Sequence, residues 1–425
     1  MIRAFVCFTA LFVLLPSSAL TQPASLPTGS DYKGEIRRGA DGRLMVVEPR
    51  QEAPENTAEK PASLRVGPGE RVRSLTEAAQ VARDGEVIEV LPGDYRNQPA
   101  TWTQDRLTIR GVGQRPVLYV DGGGEDKALW TVRGGTVHLE NLEFRGTSAD
   151  SSHSASIRVE RGRLSVERCA FFDNAVAVVT GNDTETSVEI SDSEFRGTQH
   201  PVGGTYPLLE VGAIGRLTLT GSRFVNGGTG FLLRSRARES RVRYNLFVEN
   251  DGAGARSALE FPRGGLIFMI GNVIAQSTAS GEQALVAFGG EADNKGSRWK
   301  DNAVYFAHNT LIGGRGEGSE LLRWQPEKLA ADTEFWIINN LSVGPVLLHA
   351  PPRGRFEGNR SASERDLIDF AGVPARLKAD SPLRGSVRAP GSANGESLLP
   401  DAEFSPPAGQ RPAPPGGALA PGALR

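Results

Sequence analysis

The densest set of side chains able to do chemistry lies in Leu232–Gly265, which reads LLRSRARESRVRYNLFVENDGAGARSALEFPRGG. Arg234, Arg236 and Arg238 alternate with Leu233, Ser235 and Ala237. Successive side chains of an extended strand point to opposite faces. The small and apolar set therefore belongs inside, and three guanidinium groups project outward about 6–7 Å apart. Leu209-Glu210, Leu233-Arg234 and Leu259-Glu260 occupy matching positions in successive segments. Stacked as parallel strands roughly 4.8 Å apart, they place Glu210 over Arg234 over Glu260 as an outer-face ladder. Tyr206 precedes this ladder and Arg263 follows it, so both flank one groove. Arg236, Arg238, Arg256 and His200 are the further candidates for contacting a ligand there, while His308 reads as a corner histidine.

Three chemistries fit such a ladder. Two carboxylates two coils apart stand about 9–10 Å from each other, at the upper edge of inverting-glycosidase geometry. An arginine between them should depress both pKa values, which suits a general acid poorly. Alternatively, Arg234 neutralises a uronate carboxylate and favours β-elimination. Arginine stays charged and is a poor base, so Tyr206 or a lysine is the more natural proton acceptor, and Leu232–Gly265 has no lysine. A structural ion-pair ladder on an outer wall competes with both.

These residues need a scaffold, and the sequence supplies one by repetition. VHLENLEF (to Phe144), LSVERCAF (to Phe171), VEISDSEF (to Phe195) and LTLTGSRF (to Phe224) each alternate apolar and polar residues, turn at a small or polar residue and end on Phe. The series continues through VRYNLF, FMIGNVI, FAHNTLI and WIINNLSV. Period-two alternation marks half-buried strands. Steps of roughly 20–40 residues without intervening helices mark a solenoid, here an all-β right-handed parallel β-helix. The 51 glycines suit its many corners.

Around this core, residues 1–19 read as a signal peptide: Arg3, an apolar run to Leu15, then Ser17-Ser18-Ala19. The run is too short to span a bilayer. Its cleavage would leave Cys169 as the one cysteine, without a disulfide, in the slot of Leu142, Ser193 and Ser222. Residues 20–63 read as an N-terminal segment and linker, with a short strand near Leu44. The β-helix domain takes 64–388. Ser74-Leu75-Thr76-Glu77 is a capping box opening a helix that covers the first coil. Ala279–Asn302 and Glu317–Asp332 read as excursions from the coil, the latter partly helical. Residues 389–425, rich in Pro, Gly, Ala and Ser, read as a disordered tail. The net charge of −2 argues against a general nucleic-acid binder. Arginines nevertheless outnumber acids between Arg216 and Arg263, which suits an anionic, chain-like ligand bound by a monomer.

The chain resembles secreted bacterial right-handed β-helix proteins of the pectate-lyase-like superfamily, over about Ser74–Val343. The motifs are LTEAAQVARDGEVIEVLPGDY, LTIRGVG, SRARESRVRYN, GGLIFMIGNVIAQ and AHNTLIGG. More distantly it is similar to the chondroitinase B and alginate lyase family. There Lys-Ser sits where Arg234-Ser235 stands, with lysine as base, and Arg263 is a loose counterpart of a later arginine. The resemblance implies export to the periplasm or beyond and a polysaccharide partner, with a polysaccharide lyase as first expectation and a non-catalytic carbohydrate-binding or envelope scaffold as the alternative. It would also imply calcium, but residues 226–233 contain no Asp or Glu to ligate it, and Phe231 stands where the nearer subgroup has histidine. The expectation is therefore no cofactor.

Overall fold

A computed structural model describes residues 35–38, 44–47 and 63–424, except for 121–127, 147–154, 198–205, 228–229, 250–257, 277–283, 292–298, 314–318, 326–327, 345, 352, 369–374 and 416–417. The signal segment, His200 and Arg256 lie outside the described residues. Two units divide at Lys60. In the first, Glu35–Arg38 pairs antiparallel with Leu44–Val47.

The second unit is a parallel β-helix with three sheet walls. Each coil contributes one strand to each wall. The first sheet holds twelve strands, from Ser63–Val66 to Gly354–Glu357; the second holds eleven, from Asp94–Arg96 to Arg360–Ala362; the third holds ten, from Ala100–Trp102 to Val346–Leu347. The alternation sets this directly. In Arg216–Thr220, Leu217 and Leu219 are buried while Arg216, Thr218 and Thr220 face outward. Both expected excursions contain wall strands: Ala284–Phe288 and Ser319–Trp324 pair with each other in the third sheet. Their edges read as loop because the neighbouring segments are polar and long, which masked a short apolar run.

The turn from the first to the second sheet uses one left-handed residue per coil. Asn141, Asp192 and His308 have φ of 55°, 48° and 52°, a conformation that Asn and Asp tolerate better than most residues. His308 is thus a corner residue, fully buried, with Nε2 3.0 Å from Asn339 Nδ2. The next slot points inward and forms a polar ladder. Cys169 and Ser193 lead into Ser222, Asn245, Asn272, Asn309, Asn340 and Asn359. Each asparagine Nδ2 donates to a backbone carbonyl of the preceding coil; Asn272 Nδ2, for example, donates to Val242 O at 2.8 Å. Cys169 is therefore a core residue, and burial pushes its thiol up to about 12. Two residues on, Phe144, Phe171, Phe195, Phe224 and Phe247 stack with centroids 5.0, 4.8, 4.3 and 5.1 Å apart.

The N-terminal end is capped. Helix α1, Leu75–Val81, has Ser74 as N-cap accepting from Glu77 N and buries Leu75 and Ala78 against the first coil. At the other end the disordered tail expected for 389–425 is corrected. The segment packs along the outside of the later coils. Glu396 pairs with Arg241 and Arg243, and Tyr244 Oη donates to Asp401 Oδ1 at 2.5 Å. Leu398 and Phe404 are 0% and 1% exposed. Gly422 N and Ala423 N donate to Asn339 O and Thr310 Oγ1, each at 2.9 Å. Gly422 has φ of 92°, and a Cβ there would stand 2.7 Å from Thr310 Oγ1, so the approach requires glycine. Composition misled because few large apolar residues suffice when the partner surface is already apolar: Phe268, Ile270, Tyr305 and Ile338 on the first sheet, Val273, Leu341 and Val343 on the second.

Candidate functional site

The third sheet carries the candidate site on its outer face. Its strands Leu209–Val211, Leu233–Ser235 and Leu259–Phe261 are three residues each, with only the middle residue facing out. The register pairs Glu210 with Arg234 and Arg234 with Glu260, as the aligned segments require. Arg158 and Val179 continue the same row toward the N-terminus, and Ala287 and Arg323 toward the C-terminus.

The side chains pair differently from the expected straight ladder. Arg234 Nε lies 2.7 Å from Glu260 Oε2, an ion contact whose angle is not that of a hydrogen bond. Glu210 pairs instead with Arg236, one strand residue pair further along. The hub is Glu291, which the sequence reading did not single out. Its carboxylate binds Arg234 Nη2 and also takes Arg236, at 2.7 Å to Nε and 2.8 Å to Nη2. Glu291 comes from the loop after the third-sheet strand Ala284–Phe288, so no strand periodicity marks it. The loop is pinned by Glu291 N donating to Pro262 O at 2.8 Å and by Lys328 Nζ donating to Gly290 O at 3.0 Å. Lys328, also unanticipated, thereby brings an ammonium group near the cluster.

Arg238 parts from its neighbours. The strand ends at Ser235, the chain turns, and Arg238 opens onto the first-sheet side. The expected row of three outward arginines on one strand is thus two plus one. Arg263 sits at the cluster's edge, where its Nε is buried with no hydrogen-bond partner among the described residues and its charge acts on Glu291. Phe231 lies beneath Arg234, with the guanidinium carbon 5.5 Å from the ring centroid. Tyr206 joins Pro207, Val176, Val179, Ala155 and Arg158 around a cavity of about 310 Å3 whose edge is Glu210 and Arg234.

Electrostatics separate the carboxylates. Hydrogen bonding from Arg236 holds Glu291 below the usual carboxylate range. Arg236 is in turn raised, first by its bond to Glu291. Glu260 goes the other way: burial pushes its carboxyl up, against the pull of Arg234. Arg234 thus depresses Glu260 as expected, but the burial of its side chain, 15% exposed, outweighs that pull and corrects the expected net direction.

The carboxylates do not fit a calcium ion. Glu210, Glu260 and Glu291 are each held by a guanidinium, and no group of three or more His, Cys, Asp or Glu among the described residues is arranged to hold a metal. No helix among the described residues is long and apolar enough to cross a membrane.

No family model matches the chain. Among solved structures, the crystal structure of pectate lyase Pel9A aligns with a TM-score of 0.51 at 14% identity, covering 82% of this chain and 96% of that one. The two share the pectate-lyase-like parallel β-helix fold.

Proposed function

We propose that this protein is exported and engages an acidic polysaccharide along the outer face of the third sheet. The observation that carries the proposal is the cavity in which Tyr206, Pro207 and Val179 meet Glu210 and Arg234. An apolar and aromatic floor suits the C–H face of a pyranose ring, and charged groups at its rim suit hydroxyl and carboxylate substituents. The fold shared with a pectate lyase supports a polysaccharide partner. The excess of arginine along Arg216–Arg263 favours an anionic one.

A second reading, β-elimination, is favoured by Tyr206 and Arg234 lining the same cavity. Arg234 would neutralise the uronate carboxylate, Tyr206 as phenolate would accept the proton alpha to it, and the electron pair would form the double bond as the β C–O bond breaks, the departing glycosidic oxygen taking a proton from water. Arg234 must then exchange one of its two carboxylate partners for substrate.

Purified protein tested against polygalacturonate, alginate and chondroitin sulfate, with binding and unsaturated-uronate absorbance followed together, decides between the two. Binding that weakens with salt and in Arg234→Ala, without absorbance, identifies a recognition groove. Absorbance lost in Arg234→Ala and in Tyr206→Phe identifies a lyase. Binding unaffected by either substitution would refute the assignment of this groove.

A further inference from the structure

We infer a second binding groove, for an acidic saccharide chain, on the outer face of the first sheet. It goes beyond the third-sheet site and does not depend on it. A cavity of about 570 Å3 lies there, framed by Arg163, Arg216 and Arg238. Its floor is a regular grid. Thr136, Arg163, Ser187 and Arg216 stand in register on four successive coils, and Ser165, Glu189 and Thr218 stand in register beside them. A chain running along the solenoid axis would meet a donor or acceptor about every 4.8 Å on each row.

The charge pattern selects the ligand. Arg216 is paired with Glu239 at 2.9 Å, but the exposed guanidinium groups of Arg163 and Arg238 have no ion pair among the described residues. They offer fork-shaped donors to a carboxylate or sulfate. Glu185 and Glu189 also line the groove, and would repel a ligand whose every contacting group is anionic. A saccharide chain satisfies both, placing carboxylates against the arginines and hydroxyls against the glutamates, serines and threonines. The turn that ends the strand Leu233–Ser235 gives Arg234 to one groove and Arg238 to the other, so two faces of the same coil are equipped.

The test is affinity electrophoresis of the full chain in gels containing polygalacturonate, alginate or chondroitin sulfate. Arg163→Ala/Arg238→Ala should weaken retardation by roughly three- to tenfold per guanidinium removed, the effect of a charge-assisted hydrogen bond partly exposed to water. Arg145→Ala/Arg196→Ala, on the second sheet, removes the same charge and should leave most of the retardation in place. Loss in the first-sheet variant with no loss in Arg234→Ala would keep this groove and refute the third-sheet site. The inference is overturned if all three gels fail to retard the wild-type protein. It is equally overturned if the first-sheet variant runs as wild type in a gel that retards it, or if the second-sheet control loses as much.

Discussion

Phe404→Ala is the sharpest test of the C-terminal segment. Phe404 is 1% exposed and belongs to the cluster formed with Leu341, Val343 and Leu377. Truncating a phenylalanine buried to that degree costs about 3–5 kcal/mol. The segment is attached to the coils through side chains and a few backbone bonds, so the loss should appear first as local opening. That energy raises the opening constant by a factor on the order of a hundred to several thousand. Hydrogen exchange read by mass spectrometry on C-terminal peptides measures it. The amides of Gly422 and Ala423, bonded to Asn339 O and Thr310 Oγ1, are the reporters. Limited proteolysis should show matching new cleavage beyond residue 385, with the coils up to Val211 unchanged. If exchange at these amides in wild type is already as fast as in an unfolded peptide, or if Phe404→Ala leaves it unaltered, the docking is refuted and the composition-based reading stands.

Three further outcomes follow from the ladders and the ion cluster. Glu291, whose folded pKa lies below its unfolded one, stabilises the fold above the ordinary carboxylate range and loses that contribution in acid; Glu260, with a raised folded pKa, stabilises below that range and loses its contribution as pH rises through the folded value. In urea unfolding from about pH 3 to about pH 7, Glu291→Gln should therefore fall increasingly below wild type as pH rises, and Glu260→Gln should gain on it. Asn272→Ala orphans the buried Asn245 N and takes one of two acceptors from Asn245 Nδ2, which keeps Leu219 O, and should cost about 1–3 kcal/mol in the same assay. Cys169, its thiol pushed to about 12 by burial, should resist iodoacetamide in the native protein and react only on unfolding, measured in a Cys7→Ser background.

How much of this was legible follows from which interactions are periodic. The repeat ending on Phe144, Phe171, Phe195 and Phe224 announces the stack and the solenoid, because one coil's pattern dictates the next. The same periodicity sets the register of Glu210, Arg234 and Glu260. It says nothing of Glu291, which arrives from a loop, nor of the diagonal choice of Arg236 by Glu210. The docked segment did leave a trace. Outward positions of the first sheet read His138, Ser165, Glu189, Thr218 and Arg241 through the early coils, then Phe268, Tyr305 and Trp336. Loss of alternation in FMI, YFA and FWI means both faces are covered, and only a segment outside the repeat could supply the second cover.

The docked segment also acts as a ruler. Glu396 and Asp401 engage Arg241, Arg243 and Tyr244, while Gly422 and Ala423 engage Asn339 and Thr310 several coils away. Inserting one coil between these anchors would separate them by about 4.8 Å, more than hydrogen bonds can absorb. A duplicated coil between Ala128 and Val211 would shift no anchor against another. The number of coils is therefore fixed in the C-terminal part of the solenoid and adjustable in the N-terminal part, and lengthened variants should be built there.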